Sequence, residues 1–362
     1  MTAFVVDAGG GASLREVPLP VPGYDEALVR VTTASICATD LKILDGRLPV
    51  APGRVLGHEL VGEFVEGGLG VTGFEVGQRV FVPTNTPCGR CSECLGIANG
   101  LGCRADGSIN GFQFGVLRDG GHAQYALVPY VSANLVPIPD GVSDEQAVMC
   151  CCVGTTGFGG VERSELRIGD AVAIVGQGPV GISATAAARL RGAALVIVVD
   201  GIEARRELAL RMGADVALDP SDDVVDEVRT LTAGRMADVA IEAVGLQPTF
   251  ELALRLTRPG GTLSSIGNYG VADSRLELPL DIGAFMGGIG DKRIVTTSAP
   301  GGKDRARRML ALVASGRFDP GSYVTHTFSL DEIETAVELF QTKSDGVFKV
   351  AIKPWAIERR SP

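Results

Sequence analysis

The sequence is short of basic residues. Lysine and arginine total 33 against 43 aspartate and glutamate residues, which gives a formal net charge of −10 at pH 7. Nucleic-acid binding depends on a basic surface that faces the phosphate backbone. We therefore expect no nucleic-acid partner for this chain.

Long apolar segments are also missing. The most hydrophobic window, residues 171–188, contains Gln177 and a Gly-Pro-Val-Gly turn, and Arg189 follows it. It predicts a strand, a turn and a small-residue helix, because a membrane-spanning helix needs about 20 predominantly apolar residues. The N-terminal segment also lacks the positive stretch and cleavage site of a signal peptide. We expect no membrane partner and a cytoplasmic location.

Aromatic residues make up only 5% of the chain and histidine occurs three times, whereas cysteine occurs eight times. Eight cysteines without a secretion signal are more typical of metal ligands than of disulfides. Forty-nine glycines indicate many tight turns. With 362 residues, 45% of them hydrophobic, the chain is long enough for two domains that each bury a core.

One of the histidines lies in an apolar segment between two glycines, as Gly57-His58-Glu59 followed by Gly62. Taken alone, this pattern is more typical of a buried packing histidine. Cys37 upstream and a cysteine triplet far downstream change that interpretation. One imidazole and two thiolates are the ligands of a catalytic zinc that keeps its fourth position open.

The segment around Cys37 has two interpretations. Cys37 could be a small buried apolar residue, with Thr39 and Asp40 forming a turn or a helix cap. In the functional interpretation, Thr39 offers a hydroxyl beside the metal-bound oxygen. Asp40 then holds the second ring nitrogen of His58, which fixes the tautomer that binds metal.

The downstream triplet is Cys150, Cys151 and Cys152, at the end of a helix predicted from about Asp144. Spacing alone does not decide which of the three would bind metal. A second histidine, His122, stands where a glycine turn leads into a predicted strand, and we expect its role to be structural.

A second cysteine cluster has a regular spacing. Cys88, Cys91 and Cys94 follow at intervals of three, and Cys103 lies nearby in a glycine-rich loop. Four thiolates form a closed, structural zinc site, because no coordination position remains for a substrate. Free thiols are the alternative, and a zinc finger is disfavoured because no basic recognition helix adjoins the cluster.

A glycine-rich motif follows the predicted strand at residues 171–175. The stretch 176–181 reads Gly-Gln-Gly-Pro-Val-Gly, a helix follows, and the next predicted strand, 195–199, ends at Asp200. This order is typical of a dinucleotide site, with the pyrophosphate at the helix N-terminus. Asp200 would accept hydrogen bonds from the adenosine ribose and repel a 2′-phosphate, which favours NAD over NADP.

The rest of the pattern defines the fold class as α/β. Residues 28–32 alternate in polarity and predict a strand in a β-rich N-terminal region. From about residue 171 to residue 267, strands and helices alternate, which predicts a parallel sheet with helices on both faces. Two amphipathic helices, near 304–315 and 331–342, and a final strand, 348–353, follow. We expect that strand to return to the first domain.

Together these motifs resemble the zinc-containing alcohol dehydrogenases of the medium-chain dehydrogenase/reductase family, over essentially the whole chain. The resemblance rests on Cys37-Ala38-Thr39-Asp40, Gly57-His58-Glu59, the four-cysteine cluster, Cys152-Val153-Gly154-Thr155-Thr156 and the glycine loop with Asp200. It implies a GroES-like, β-rich catalytic domain of residues 1–153, completed by residues 298–362. It also implies a Rossmann domain, a doubly wound parallel sheet, of residues 154–297.

The resemblance also implies roles for individual residues. The family's third zinc ligand precedes a Gly and a Thr at the spacing found after Cys152, which makes Cys150 and Cys151 packing residues. Glu59 is expected close behind the metal. The expected catalytic residues are Thr39, Cys37, His58, Glu59 and Cys152. The expected cofactor-binding residues are Gly176, Gly178, Pro179, Val180, Gly181, Asp200, Arg205, Thr156, Val244 and Ile266.

The chain departs from the family pattern at two places. Many relatives have a histidine where Lys42 stands, and that histidine relays a proton to solvent. The loop between Cys94 and Cys103 is one residue longer than usual. Likeness to bacterial secondary-alcohol dehydrogenases comes from residues 147–149, from Gly111-Phe112 and from residues 300–303, although those relatives tend to carry Asp at the position of Cys152.

The function expected from the resemblance is reversible, zinc-dependent hydride transfer between an alcohol, expected to be secondary, and NAD. The product is a ketone or an aldehyde, and the protein is expected to be a homodimer or homotetramer. A polyol, sugar or amino-alcohol dehydrogenase of the same family is the first alternative, and the substrate pocket near Phe112 would discriminate. A non-catalytic, NAD-binding zinc protein is the second.

Overall fold

The protein forms two compact units in a computed structural model that describes residues 1–96, 102–269, 277, 284 and 289–355. The first unit contains Met1–Cys152 and the described residues from Pro300 onward, and the second contains Val153–Ala299. Each unit is built around its own large sheet.

The helices and strands are numbered here in chain order. The strands are β1 Thr2–Val6, β2 Ala12–Glu16, β3 Glu26–Ser35, β4 Leu60–Gly67, β5 Arg79–Val82, β6 Tyr125–Pro129, β7 Val136–Pro137, β8 Ala171–Val175, β9 Leu195–Val199, β10 Val216–Leu218, β11 Ala237–Glu242, β12 Thr257–Ser265, β13 Arg293–Thr296, β14 Val324–Ser329 and β15 Lys349–Lys353. The α-helices are α1 Ala38–Leu44, α2 Ser92–Leu95, α3 Val131–Asn134, α4 Asp144–Met149, α5 Thr155–Arg163, α6 Pro179–Leu190, α7 Glu203–Arg211, α8 Val224–Leu231, α9 Gln247–Leu256, α10 Lys303–Ala314 and α11 Ile333–Thr342. Among the described residues, none of these helices is both long and apolar enough to cross a membrane.

The first unit is organised around the ten-residue strand β3. It pairs antiparallel with β4, with β6 and with β15, so that the sheet runs β14-β15-β3-β4-β5-β7 with β6 attached to β3. The core beneath it is mainly aliphatic, with residues such as Val29, Val31 and Leu56, and also contains Phe114. The return of the chain places β15 beside the residues that precede α1, because Ala351 pairs with Ser35.

The second unit contains a six-stranded sheet in the order β10-β9-β8-β11-β12-β13. Every neighbouring pair in this sheet is parallel, which confirms the predicted parallel sheet. All five residues of β8 are buried, as expected for a strand covered on both faces. The core includes Val175, Ile197, Phe250 and Leu263.

The helix predicted to carry the cysteine triplet ends just before it. Ser143 caps α4, since its hydroxyl accepts the N–H of Gln146 at 3.1 Å and the Gln146 side chain accepts the Ser143 N–H at 3.0 Å. The triplet itself lies in a π-helix, Cys150–Gly154. The wider π-helical turn changes the direction in which successive side chains point, a device that occurs frequently at functional sites.

Candidate active site and metal centres

Four predicted site residues of the first unit converge in space. Cys37, His58, Glu59 and Cys152 each offer one ligand atom, and these atoms all lie within 4.8 Å of one another. His58 and Glu59 are 2% and 0% exposed, while the two cysteines are half-buried. The cluster is therefore closed on the protein side and more open at its sulfur atoms.

Local backbone structure positions each of these side chains. Cys37 stands at the N-terminal cap of α1, where its N–H donates to Asp40 Oδ2 at 2.8 Å. His58 immediately precedes Glu59 and β4, and its carbonyl oxygen accepts the Thr84 hydroxyl at 2.7 Å. Cys152 lies in the middle of the π-helix. The three predicted zinc ligands thus come from a helix cap, a strand entry and a π-turn.

Asp40 lies behind the His58 ring, where the sequence analysis expects it. Its Oδ1 is 3.3 Å from His58 Nδ1, and its Oδ2 is 3.5 Å from Nε2 of His122. Burial alone would raise the pKa of the Asp40 carboxyl, but the neighbouring imidazoles lower it, and the net pKa is well below the usual value. Asp40 is therefore a buried carboxylate rather than a neutral acid.

The two thiols of the cluster are hydrogen-bonded to each other. A hydrogen bond from Cys152 lowers the pKa of Cys37 well below that of a free thiol, and the same contact raises the pKa of Cys152 well above it. Metal binding requires deprotonated thiols, and a divalent cation supplies the positive charge that stabilises both.

A buried cation completes the surroundings of Glu59. Lys349 Nζ donates to Glu59 Oε2 at 2.6 Å and to the carbonyl oxygen of Ile36 at 2.8 Å. Burial raises the pKa of Glu59 to about 7, against the opposing effect of the Lys349 charge. Glu59 Oε1 has no hydrogen-bond partner among the described residues.

This donor set fits a zinc ion. Two sulfurs, one imidazole nitrogen and one carboxylate oxygen lie within 4.8 Å of one another, and the histidine and the glutamate are buried. Cysteine, histidine and glutamate are the residue types that bind zinc in proteins, and three protein ligands are typical of its catalytic sites.

Three further residues border the cluster. Thr39 is half-buried in the first turn of α1. Phe112 meets the His58 ring edge-on, with 5.4 Å between the ring centroids. Lys42, also on α1, is half-buried, and both burial and the charge of Arg47 lower the pKa of its ammonium group.

The second predicted cluster also forms. Cys88, Cys91, Cys94 and Cys103 place their sulfurs within 4.8 Å of one another. The Cys88–Cys94 and Cys91–Cys94 sulfur pairs are 3.9 and 3.4 Å apart. Four thiolates about 2.3 Å from a tetrahedral zinc are separated by about 3.8 Å, so this geometry fits a structural zinc. The loop predicted to be one residue longer than usual includes residues 97–101, which lie outside the described residues.

The glycine loop connects β8 to α6 in the second unit. Gly176 has φ +91° and follows β8, and Gly178 and Pro179 begin α6 as its cap and first residue. A Cβ on Gly181 would lie 1.8 Å from the Gly176 carbonyl oxygen, so this glycine is required for the helix to approach the strand. Val180 follows Pro179 in the first turn, and the helix N-terminus is a favourable place for a phosphate.

Asp200 directly follows β9 and lies beside this loop. Its Oδ2 accepts the Gln177 N–H at 2.6 Å, and its Oδ1 accepts the Ile202 N–H at 2.9 Å. Arg205 Nη1, on α7, is 4.0 Å from Asp200 Oδ2. The structure therefore gathers the predicted ribose-binding carboxylate and a cation at the same edge of the sheet.

The other predicted cofactor residues follow neighbouring elements of the second unit. Val244 comes two residues after the end of β11 and is 42% exposed, and its side chain lies against Gly176. Ile266 follows β12, and Thr156 is buried in the first turn of α5. Because Val244 and Ile266 follow parallel strands, they lie at the carboxyl edge of the sheet, as Gly176 does.

Sequence reasoning missed three residues that support these sites. Lys349 lies 290 positions from Glu59, and no local motif marks it as its partner. His122 was expected to be structural and lies against Asp40. Glu242, at the end of β11, accepts the N–H groups of Val244 and Gly245, each at 2.8 Å, and so fixes the turn that carries Val244. The one sequence signal that could have identified Glu242 is the position of a glutamate at the end of an apolar strand.

Two protein-family models match successive parts of the chain. The family model described as an alcohol dehydrogenase GroES-like domain matches residues 23–140. The model described as a zinc-binding dehydrogenase matches residues 179–315. Together these matches cover most of the chain and confirm the expected fold class.

Individual relatives are similar over nearly the full length. An alcohol dehydrogenase of Cupriavidus necator is 46% identical, over 98% of this chain and 99% of the relative. An NADP-dependent isopropanol dehydrogenase of Thermoanaerobacter brockii is 33% identical, over 97% and 99%. The solved structure of an alcohol dehydrogenase from Thermus sp. ATN1 superimposes with a TM-score of 0.85 at 34% identity, over 98% of this chain and 99% of that one. With both domain models matched and identity reaching 46% across the chain, the protein belongs to the zinc-containing alcohol dehydrogenases of the medium-chain dehydrogenase/reductase family.

Proposed function

We propose that the chain catalyses the reversible oxidation of a secondary alcohol to a ketone, with NAD as the hydride acceptor. The observation that carries the proposal is the convergence of Cys37, His58 and Cys152, with Glu59 behind them, within 4.8 Å. Residues 1–153 and 298–362 form the catalytic domain in this proposal, and residues 154–297 form the cofactor domain.

Cys37, His58 and Cys152 would hold the catalytic zinc, and the four-cysteine cluster would hold the structural one. Bound zinc would act as a Lewis acid toward the substrate oxygen and lower the pKa of its hydroxyl. Asp40 contributes by holding the His58 ring on the side away from the metal. Such contacts set the tautomer and the orientation of a metal-binding histidine.

The substrate would meet residues of α1 and of the loop that carries Phe112. Thr39 offers a hydroxyl that can accept the substrate's proton and pass it outward. Phe112, edge-on to His58, supplies an apolar wall for the substrate carbon chain. Lys42 stands one turn further along α1 and is the candidate for the outer end of the proton path.

The preference for NAD is inferred from Asp200. Its carboxylate is fixed by two backbone N–H groups at the end of β9, where a dinucleotide's adenosine ribose binds in this fold. A fixed negative charge there accepts hydrogen bonds from ribose hydroxyls and repels a 2′-phosphate. The relative from Thermoanaerobacter brockii is named as NADP-dependent, so cofactor choice is a property to be measured in this chain.

The first experiment follows NADH absorbance with a panel of primary, secondary and polyol substrates. We expect the highest kcat/KM for small secondary alcohols. A preference for polyols or amino alcohols would replace the substrate class, and the absence of turnover with every substrate would favour the non-catalytic alternative.

The second experiment tests the metal ligands with a matched pair of variants, Cys152→Ser and Cys150→Ser. The Cys150 thiol is fully buried, and burial raises its pKa to about 12, so it is not expected to bind metal. Cys152→Ser should lose one zinc and nearly all turnover, while Cys150→Ser should keep both. Full turnover and unchanged zinc content in Cys152→Ser would refute the assigned site.

A further inference from the structure

A carboxylate lies between two imidazoles in the interior of the first unit. Asp40, His58 and His122 are all at most 2% exposed. Asp40 Oδ1 is 3.3 Å from His58 Nδ1, and Asp40 Oδ2 is 3.5 Å from His122 Nε2. Both contacts are longer than a relaxed N–H···O bond of about 2.9 Å, but they lie on opposite oxygens of one carboxylate.

The backbone holds His122 directly beside the segment that carries His58. The His122 N–H donates to the carbonyl of Leu56 at 2.9 Å, and the Gly121 N–H donates to the carbonyl of Gly57 at the same distance. Gly57 has φ +96°, and a Cβ there would lie 2.7 Å from Cγ of His122. The imidazole is therefore pressed against a glycine backbone one residue before His58.

Neither ring nitrogen of His122 makes a hydrogen bond of ordinary geometry among the described residues, and the polar atom that lies nearest to hydrogen-bond distance is Asp40 Oδ2, 3.5 Å from Nε2. Burial of a polar group without a hydrogen-bond partner lowers the stability of the fold by about 1–3 kcal/mol. An apolar ring would fill the same space without that cost. The placement of an imidazole there therefore has to be explained by what its N–H does to Asp40.

We propose that His122 is a positioning residue of the metal site. Its Nε2–H holds Oδ2 of Asp40, so that the carboxylate is fixed from both ends and keeps the proton of His58 on Nδ1, which leaves Nε2 of His58 for the metal. This inference rests on the metal assignment in the proposed function.

The backbone contact of Asp40 supports this role. The Cys37 N–H already donates to Asp40 Oδ2 at 2.8 Å, so Asp40 links two of the proposed ligands. A second donor on Oδ2 restricts rotation of the carboxylate about its Cβ–Cγ bond. His122 thereby acts on Cys37 and His58 through Asp40, without touching the metal or the substrate.

The proton position can be read directly by NMR of the wild-type protein. The chain has three histidines, so [¹⁵N]histidine labelling gives at most three sets of imidazole signals. The signals of the partly exposed His326 are assigned by their loss in His326→Asn. We expect His122 to carry a proton on Nε2, with an exchange-protected signal. A deprotonated Nε2 on His122 would overturn the inference, and this reading does not depend on any variant of His122 folding.

A double-mutant cycle tests whether His122 works through Asp40. The zinc affinity of the site formed by Cys37, His58 and Cys152 is measured by chelator competition. The proteins compared are the wild type, His122→Phe, Asp40→Asn and the double variant. Changes to the groups that orient metal ligands weaken affinity by about 10–100-fold, and we expect about tenfold for His122→Phe. The double variant should be no weaker than Asp40→Asn, and His122→Gln, which keeps an N–H donor, should recover part of the loss.

Two results would contradict the role of His122. One is wild-type zinc affinity in a folded His122→Phe, and the other is additive losses in the double variant. Zinc bound by the four-cysteine cluster serves as the internal reference, because none of these changes touches it. Neither the NMR nor the competition uses a substrate, so failure of the proposed reaction would appear only in wild-type turnover.

Discussion

Lys349 Nζ lies 2.6 Å from Oε2 of Glu59, and the two side chains are 1% and 0% exposed. The pair joins the first residue of β15 to the residue that follows His58. A buried ion pair of this kind tolerates the loss of one partner poorly, because the remaining charge stays in the interior without compensation. The returning strand is thereby linked electrostatically to the segment of the proposed metal site.

We expect Lys349→Met to be strongly destabilising. Removing one partner of a buried pair costs about 3–5 kcal/mol. The Lys349 charge lowers the pKa of Glu59, which is about 7 in the wild type, so its loss should raise that pKa further and let protonation of Glu59 reduce the cost at lower pH. The free energy of unfolding in urea should therefore differ most from wild type above pH 7. The zinc content of the same samples reports whether Glu59 still supports the cluster.

Lys353→Met is the matched control for this change. Lys353 lies on the same strand and its Nζ is 2.5 Å from Glu145 Oε1, but these side chains are 26% and 35% exposed. Pairs of this exposure contribute less than about 1 kcal/mol. Equal losses in the two variants would contradict a special role for the Lys349–Glu59 pair.

Loss of one thiol from the four-cysteine cluster should change the zinc content of the protein. Cys103→Ser should lower zinc from two ions per chain to one and reduce the unfolding free energy, since structural zinc stabilises the fold directly. Elemental analysis of purified protein gives the stoichiometry. Cys150→Ala, which changes a buried thiol outside both clusters, should retain two zinc ions. One ion in wild-type protein would show that only one cluster binds zinc.

Local patterns predicted most of the second unit. Runs such as Ala171–Val175 and Leu195–Val199 are short, apolar and rich in β-branched residues, and glycines lie close to both ends of each run. They could therefore be identified as strands, with their positions, from the sequence alone. The boundaries were less accurate. The helix predicted from Asp331 begins as a 3₁₀ turn, Leu330–Glu332, because Ser329 and Glu332 form a capping box, and α11 starts at Ile333.

Burial in the first unit was harder to predict. The alternation of residues 28–32 is reflected in the structure, where Val29 and Val31 are buried and Arg30 and Thr32 are half-buried, but Leu28, on the same face as Arg30, is only 3% exposed. The reason is tertiary, because β3 is bonded to β4, β6 and β15 and little of it reaches the surface. The same limit explains why Lys349 and His122 were missed as partners of Glu59 and Asp40, since such contacts join segments far apart in the chain.

Asp238 should make the second unit sensitive to acid. Its Oδ2 accepts the Ala171 N–H at 2.8 Å and its Oδ1 accepts Arg258 Nε–H at 2.6 Å. Burial alone would raise the pKa of Asp238. These hydrogen bonds and the Arg258 charge lower the pKa by more than burial raises it, so the net pKa is below the usual value of an aspartate. A depressed pKa contributes stability above the unfolded value, and that contribution disappears as the pH falls through the folded value.

Asp238→Asn tests this contribution. At pH 7 the variant should be less stable than wild type by about 1–3 kcal/mol, the cost of weakening hydrogen bonds to a buried charged group. The difference should stay constant down to about pH 5 and shrink below pH 4. Urea unfolding at a series of pH values measures it, with Glu165→Gln, which alters an exposed pair with Arg293, as the control. A difference independent of pH would show that the Asp238 charge is not involved.

Cofactor choice should depend on Asp200 and its neighbour Arg205. In wild type, the fixed carboxylate should favour NAD in kcat/KM. Asp200→Ser removes the negative charge and keeps the positive charge of Arg205, whose Nη1 is 4.0 Å from Asp200 Oδ2 in the wild type, near the position of a 2′-phosphate. Relief of a like-charge contact of about 1.4–2.8 kcal/mol corresponds to a 10–100-fold shift of the kcat/KM ratio toward NADP.

Asp219→Asn provides the matched control for Asp200→Ser. Arg206 Nη1 donates to Asp219 Oδ2 at 2.7 Å and to the Asp200 carbonyl oxygen at 2.6 Å, so the change at Asp219 removes one nearby negative charge without altering the Asp200 carboxylate. If the total negative charge near the cofactor site alone set the preference between NAD and NADP, the kcat/KM ratio would shift toward NADP by similar factors in both variants. We expect the shift only in Asp200→Ser. A wild-type enzyme that already uses NADP better than NAD would mean that Arg205, rather than Asp200, dominates recognition at this edge of the sheet.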